Sequence, residues 1–155
     1  MTEIRASDGG LTQAPNRILL ALIAILSLAG IVVSAISLQR HYAKSATSFC
    51  DFNQKLNCDI VNRSEYSTIL GIPVAGIGVA GYAALFWLST LWKLRPESPN
   101  RLLAAAIAGF GFALYLTYVE GYVLETWCIL CVTSQILIFL IALLAVAVKL
   151  RSANS

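Results

Sequence analysis

Charged side chains are scarce in this sequence: they make up 12% of 155 residues, against roughly a quarter in soluble domains. That scarcity excludes an ordinary soluble domain. Internal repeats and low-complexity stretches are missing as well, and with 58% hydrophobic residues the chain carries too much apolar surface to remain disordered. A basic face is also lacking. Eleven Lys and Arg outnumber eight Asp and Glu, for a net charge of +3, but they are scattered at the ends of apolar runs. A nucleic-acid partner is therefore not expected. Histidine is nearly absent, and the single His41 reads as a solvated loop residue. The length allows one compact domain and leaves no room for a second.

What the sequence does have is long apolar runs, and its mean hydropathy is +0.75. A hydrocarbon core about 30 Å thick requires about 20 helical residues to cross it. Four segments qualify: residues 18–38, 69–92, 102–119 and 128–148. The first three contain no Asp, Glu, Lys, Arg or His, and none alternates with period two, so helices are favoured over a barrel. The expected fold is an all-α integral membrane bundle of four transmembrane helices in contact with lipid. Residues 1–17 form a tail ahead of an uncleaved anchor, 18–148 the membrane domain, and 149–155 a second tail.

Orientation follows from the distribution of Lys and Arg. Arg5, Arg17, Lys93, Arg95, Arg101, Lys149 and Arg151 fall on one side, and Arg40, Lys44, Lys55 and Arg63 on the other. Seven against four puts both termini in the cytoplasm. The long polar connection between the first two helices, residues 39–68, is then extracytoplasmic. A connection of that length is functional or disordered.

All four cysteines fall on this outer side. Cys50 and Cys58 lie in the long connection, and Cys128 and Cys131 form a Cys-x-x-Cys at the start of the fourth helix. Disulfides persist in such a compartment. The unpaired N–H groups at a helix start stabilise a thiolate, and a partner at i+3 shares its helical face. Three readings compete: two static bridges, a four-thiolate zinc site and a redox relay. The zinc reading is disfavoured because the loop pair is spaced by seven residues, which leaves no metal site expected. A relay accounts for both the helix-start placement and the loop.

The order of these motifs is recognisable. Cys58-Asp59-Ile60-Val61-Asn62-Arg63-Ser64, then Leu70-Gly71-Ile72-Pro73, Gly78 and Tyr82, then Trp127-Cys128-Ile129-Leu130-Cys131 resemble a bacterial vitamin K epoxide reductase homologue. The loop pair preceding the Cys-x-x-Cys is the most specific feature. It argues against the DsbB proteins, which have the opposite order. The resemblance implies a thiol-disulfide oxidoreductase of the bacterial inner membrane that passes electrons to a quinone, either ubiquinone or menaquinone. It implies that Cys131 faces the quinone, Cys128 exchanges with Cys58, and Cys50 accepts electrons from a thioredoxin-fold (DsbA-like) protein of the periplasm. Because no fused thioredoxin-like domain follows in this sequence, that partner is expected to be separate. Ser64 matches a family serine near the active site, although an N-cap role for the segment after it fits equally well. Thr133-Ser134-Gln135 replaces the Thr-Tyr-Ala stretch of the animal enzymes, so Gln135 becomes the candidate hydrogen-bond partner of a quinone carbonyl. Epoxide reduction and coumarin sensitivity are not carried over.

A non-catalytic four-helix scaffold with two structural disulfides is the rival reading. Gly71, Gly76, Gly78 and Gly81 read as helix packing or as a flat slot for a ring. Trp87, Trp92 and Trp127 read as interfacial anchors, and Glu120 and Glu125 as water-facing acids, with a proton role as the alternative for either.

Overall fold

The computed structural model describes residues 8–43, 51–91 and 98–154. Cys50 and the orientation-setting Arg5, Lys44, Lys93 and Arg95 lie outside these residues. In chain order, helix α1 is Asp8–Tyr42, followed by a hairpin of β1 (Asp51–Asn53) and β2 (Leu56–Asn57) and the short helix α2 (Cys58–Arg63). A 3-10 turn at Glu65–Ser67 leads into a second hairpin, β3 (Thr68–Ile69) and β4 (Ile72–Pro73). Helices α3 (Val74–Thr90), α4 (Ser98–Tyr118) and α5 (Ile129–Asn154) complete the bundle.

Helix α1 shows how the chain is turned outward. Its buried positions are Leu20, Ile23, Ser27, Gly30, Ser34 and Ser37, a seam with coiled-coil spacing that becomes small and polar toward its end. Its exposed positions include Ile18, Leu22, Ile25, Leu28, Val32 and Ile36. In water this arrangement would leave the more apolar face wet, whereas in lipid it is the expected solution. Among the described residues, three helical segments are long and apolar enough to cross a membrane, Asn16–Tyr42, Pro99–Val123 and Ile129–Asn154. Helix α3 is apolar but has 17 residues, about 25 Å at 1.5 Å per residue.

Small residues permit close approach between α1 and α3. A Cβ on Gly30 would lie 2.3 Å from Tyr82 Cδ1, and one on Gly78 would lie 2.9 Å from Ser34 Oγ. The core of the bundle runs from Leu20 and Ile23 through Leu85, Leu102 and Ala106 to Ile141, Ala145 and Val148.

The apolar run 69–92 is not helical from its start. Leu70 (φ 53°) and Gly71 (φ 82°) take positive φ between the paired residues Ile69 and Ile72, which is a two-residue hairpin turn. Pro73 then caps α3, whose first residue is Val74. Leu70 is 98% exposed at the tip. Hydropathy alone could not separate this apolar hairpin from the helix it precedes.

Candidate functional site

The long connection folds back onto the start of α5. Trp127 N–H donates to Lys55 O at 2.8 Å and Asn57 N–H to Trp127 O at 3.2 Å, so β2 pairs in parallel with the residue ahead of the Cys-x-x-Cys. Asn57 also caps α2, its side chain accepting from Ile60 N–H at 3.1 Å. These bonds bring Cys58, the first residue of α2, over Cys128. Both cysteines are 0% exposed, and they share one buried cluster with Val61, flanked by Leu124, Leu130 and Cys131. Cys58 is disulfide-bonded, whereas Cys128 and Cys131 are free thiols.

Cys128 O accepts from Val132 N–H at 2.9 Å, which makes Cys128 the N-cap of α5 and puts Cys131 in its first turn. Cys128 stands one residue ahead of the membrane-crossing segment. A hydrogen bond from the Cys131 thiol holds the Cys128 thiol below its ordinary pKa, against the opposing effect of burial.

Beside this pair lies a cavity of about 210 Å³, lined mainly by apolar side chains of α1, α3, α4 and α5. The three residues expected at a quinone, Cys131, Ser64 and Gln135, all line it. Their hydrogen-bonding states differ. Ser64 Oγ donates to Val61 O at 2.8 Å, so its hydrogen is already committed at the end of α2. It makes no side-chain cap to the 3-10 turn that follows. Gln135 Oε1 is buried with no partner among the described residues.

Several residues at this cavity were not anticipated from sequence. His41 belongs to α1 rather than to a solvated loop, and its Nδ1–H donates to Asn62 O at 2.5 Å. Asn62 is buried, Ser37 Oγ donates to its Oδ1 at 2.8 Å, and its Nδ2 has no partner among the described residues. Tyr82 Oη donates to Ser134 O at 2.8 Å, tying α3 to α5 at the cavity wall. Of the glycines, Gly78 serves helix contact, while Gly81 lines the cavity with open space where a Cβ would stand.

Glu120 departs furthest from expectation. It was read as water-facing but is only 4% exposed. The last turn of α4 widens into a π-turn at Val119–Val123, with Leu124 N–H donating to Val119 O at 2.9 Å. That turn directs Glu120 inward, where Oε2 accepts from Cys128 N–H at 3.3 Å. Its carboxyl lines the cavity together with Cys131. Glu125, five residues on, is exposed at φ 49° as expected of a wet turn. The signal for Glu120 was an acid extending an otherwise uncharged membrane run, which by default marks a functional position.

Residues 21–146 match the family model described as the vitamin K epoxide reductase family.

Proposed function

Since the chain belongs to the vitamin K epoxide reductase family, whose members carry out membrane redox chemistry through cysteines with quinone-type electron carriers and a thioredoxin-like partner, we propose that it reoxidises a thioredoxin-fold protein and reduces a membrane quinone through two cysteine pairs. The observation that carries this reading is the shared burial of Cys58 and Cys128 beside a cavity lined by Cys131. A partner thiolate attacks the Cys50–Cys58 disulfide and leaves the loop pair reduced. Cys58 then attacks Cys128 of the inner disulfide and releases Cys131. Cys50 resolves the mixed bond, and the electron pair now resides on Cys128 and Cys131. Both being thiols while Cys58 is bonded matches this stage of the cycle.

The cavity suits a quinone head. Asn62 Nδ2 is an unused donor for a ring carbonyl, and Gln135 Oε1 an unused acceptor for a ring hydroxyl after reduction. Ser37 holds the Asn62 amide in place, and the apolar wall excludes water. When bound, the quinone supplies a two-electron sink for the inner pair. Its identity as ubiquinone or menaquinone, the separate DsbA-like partner, cytoplasmic termini and extracytoplasmic cysteines all belong to this proposal. The burial of Cys58 against Cys128 in one cluster favours it over a scaffold with two separate static bridges.

The test is quinone reduction by the purified protein, with a reduced thioredoxin-fold protein as donor. Turnover that requires both the donor and all four cysteines is expected. Protein that binds no quinone and gives no turnover with any thiol donor would overturn the reading.

A further inference from the structure

Oxidation of a dithiol to a disulfide releases two electrons and two protons, and the protons must leave a site whose walls are mostly apolar. We propose that Glu120 is the proton partner of Cys131: its carboxylate takes the thiol proton as the sulfur becomes a thiolate, and passes it on to water while Cys131 is held in the disulfide, so that it is ionised again for the next cycle. The step is a proton transfer alone, S–H and carboxylate becoming thiolate and carboxylic acid. The electrons leave afterwards through the sulfur, under the relay reading on which this role rests.

Three observations support the assignment. Glu120 lines the same cavity as Cys131 and is almost completely buried there. Cys131 stands in the first turn of α5, three residues from the backbone N–H that holds the carboxylate, so acid and thiol face the same cavity from one helix start. Cys128 N–H, at the start of α5, holds Oε2 in position. A buried acid without such a task would be a poor choice at the end of a membrane helix.

The surrounding groups leave few competitors. Cys128 and Cys131 approach from α5, and the bonded Cys58 of α2 does not titrate. Tyr82 of α3, His41 of α1 and Tyr66 line the same cavity. Among the described residues no Lys or Arg lines it, so no fixed cation locks the carboxylate in its charged form.

The test needs neither quinone nor protein donor. In full-length Cys128→Ala protein in detergent, Cys131 is labelled with a small apolar thiol reagent and its rate is read by peptide mass spectrometry across pH. Two strongly interacting acids that share one proton produce a pH-independent stretch, in which every thiolate is accompanied by a protonated carboxyl. That stretch is expected to span about one pH unit or more with Glu120 present. It should vanish in E120Q, whose rate then climbs about tenfold per unit up to the thiol pKa. Gln keeps an oxygen for Cys128 N–H. Should E120Q fail to fold, E120D replaces it and should narrow the stretch by drawing the acid away from the sulfur. A steady climb with Glu120 present would overturn the proposal, since the carboxylate would then be a fixed charge or out of contact. A level stretch unchanged in the variant would overturn it too, by assigning the proton to another group. Failure here leaves quinone turnover untouched, and failure of turnover leaves this profile readable.

Discussion

Ile23, Leu102, Ile141 and Val148 fill one end of the helical bundle with fully buried aliphatic side chains, whereas the other end buries Asn62 and Glu120 at a cavity and Cys58 and Cys128 beside it. The apolar end is closed by the helices themselves. The polar end is closed by the connection between α1 and α3, pinned through the pairing of Leu56 with Trp127. This division separates two tasks. Dispersion contacts at the first end set the helix positions, and the second can then hold thiols and an acid in apolar surroundings at a cost its own packing would not offset.

The largest expected effect breaks the chemical end alone. Replacing Cys128 or Cys131 by Ala should reduce quinone turnover to background with every donor, while thermal unfolding shifts little. A variant that retains turnover with either cysteine missing would contradict the inner-pair role. Next, Ile141→Ala should cost about 2–5 kcal/mol in stability through a cavity in the packed end. Turnover per folded molecule should stay near that of the parent. Loss of turnover in protein shown to be folded would mean that the two ends are not separable.

Gly30→Ala should affect both ends, because the added Cβ meets the Tyr82 ring and Tyr82 also bonds Ser134. Overpacking of about 1–3 kcal/mol is expected, together with weaker quinone binding. Unfolding and quinone titration on the same sample would show whether the two losses travel together. A subtler effect concerns pH. Since the Cys131 thiol lowers the Cys128 pKa, Cys131→Ala should raise it. Cys128 thiolate would then form at higher pH, and its labelling at neutral pH should slow. Faster labelling would show that burial, not the hydrogen bond, dominates. The smallest effect lies outside both ends: Leu70→Asn should relieve positive-φ strain at the exposed hairpin tip and stabilise by up to about 1 kcal/mol, read by unfolding.

The two ends also differ in how far they could be read from sequence. The apolar end was legible because hydropathy over twenty residues reports membrane helices directly. The cysteines were legible because their chemistry and order are unusual. The start of α3 was not, since Ile69, Leu70 and Ile72 are as apolar in a hairpin as in a helix, although Gly71 and Pro73 carried the turn signal. His41 was placed in a loop because the apolar run ends at Leu38, whereas α1 continues to Tyr42. Glu120 was assigned to water because the π-turn changes which direction it faces, and no helical periodicity anticipates that insertion. Asn62 became visible only when α2 was packed against Ser37 and His41 of α1.

The account rests on contact between the loop and the inner pair, and disulfide trapping tests it most directly. With Cys131 and Cys50 both replaced by Ala, neither thiol that would resolve a Cys58–Cys128 bond remains. Non-reducing peptide mapping of this folded double variant under oxidising conditions should recover Cys58 cross-linked to Cys128. Recovery of both as free thiols would contradict the relay.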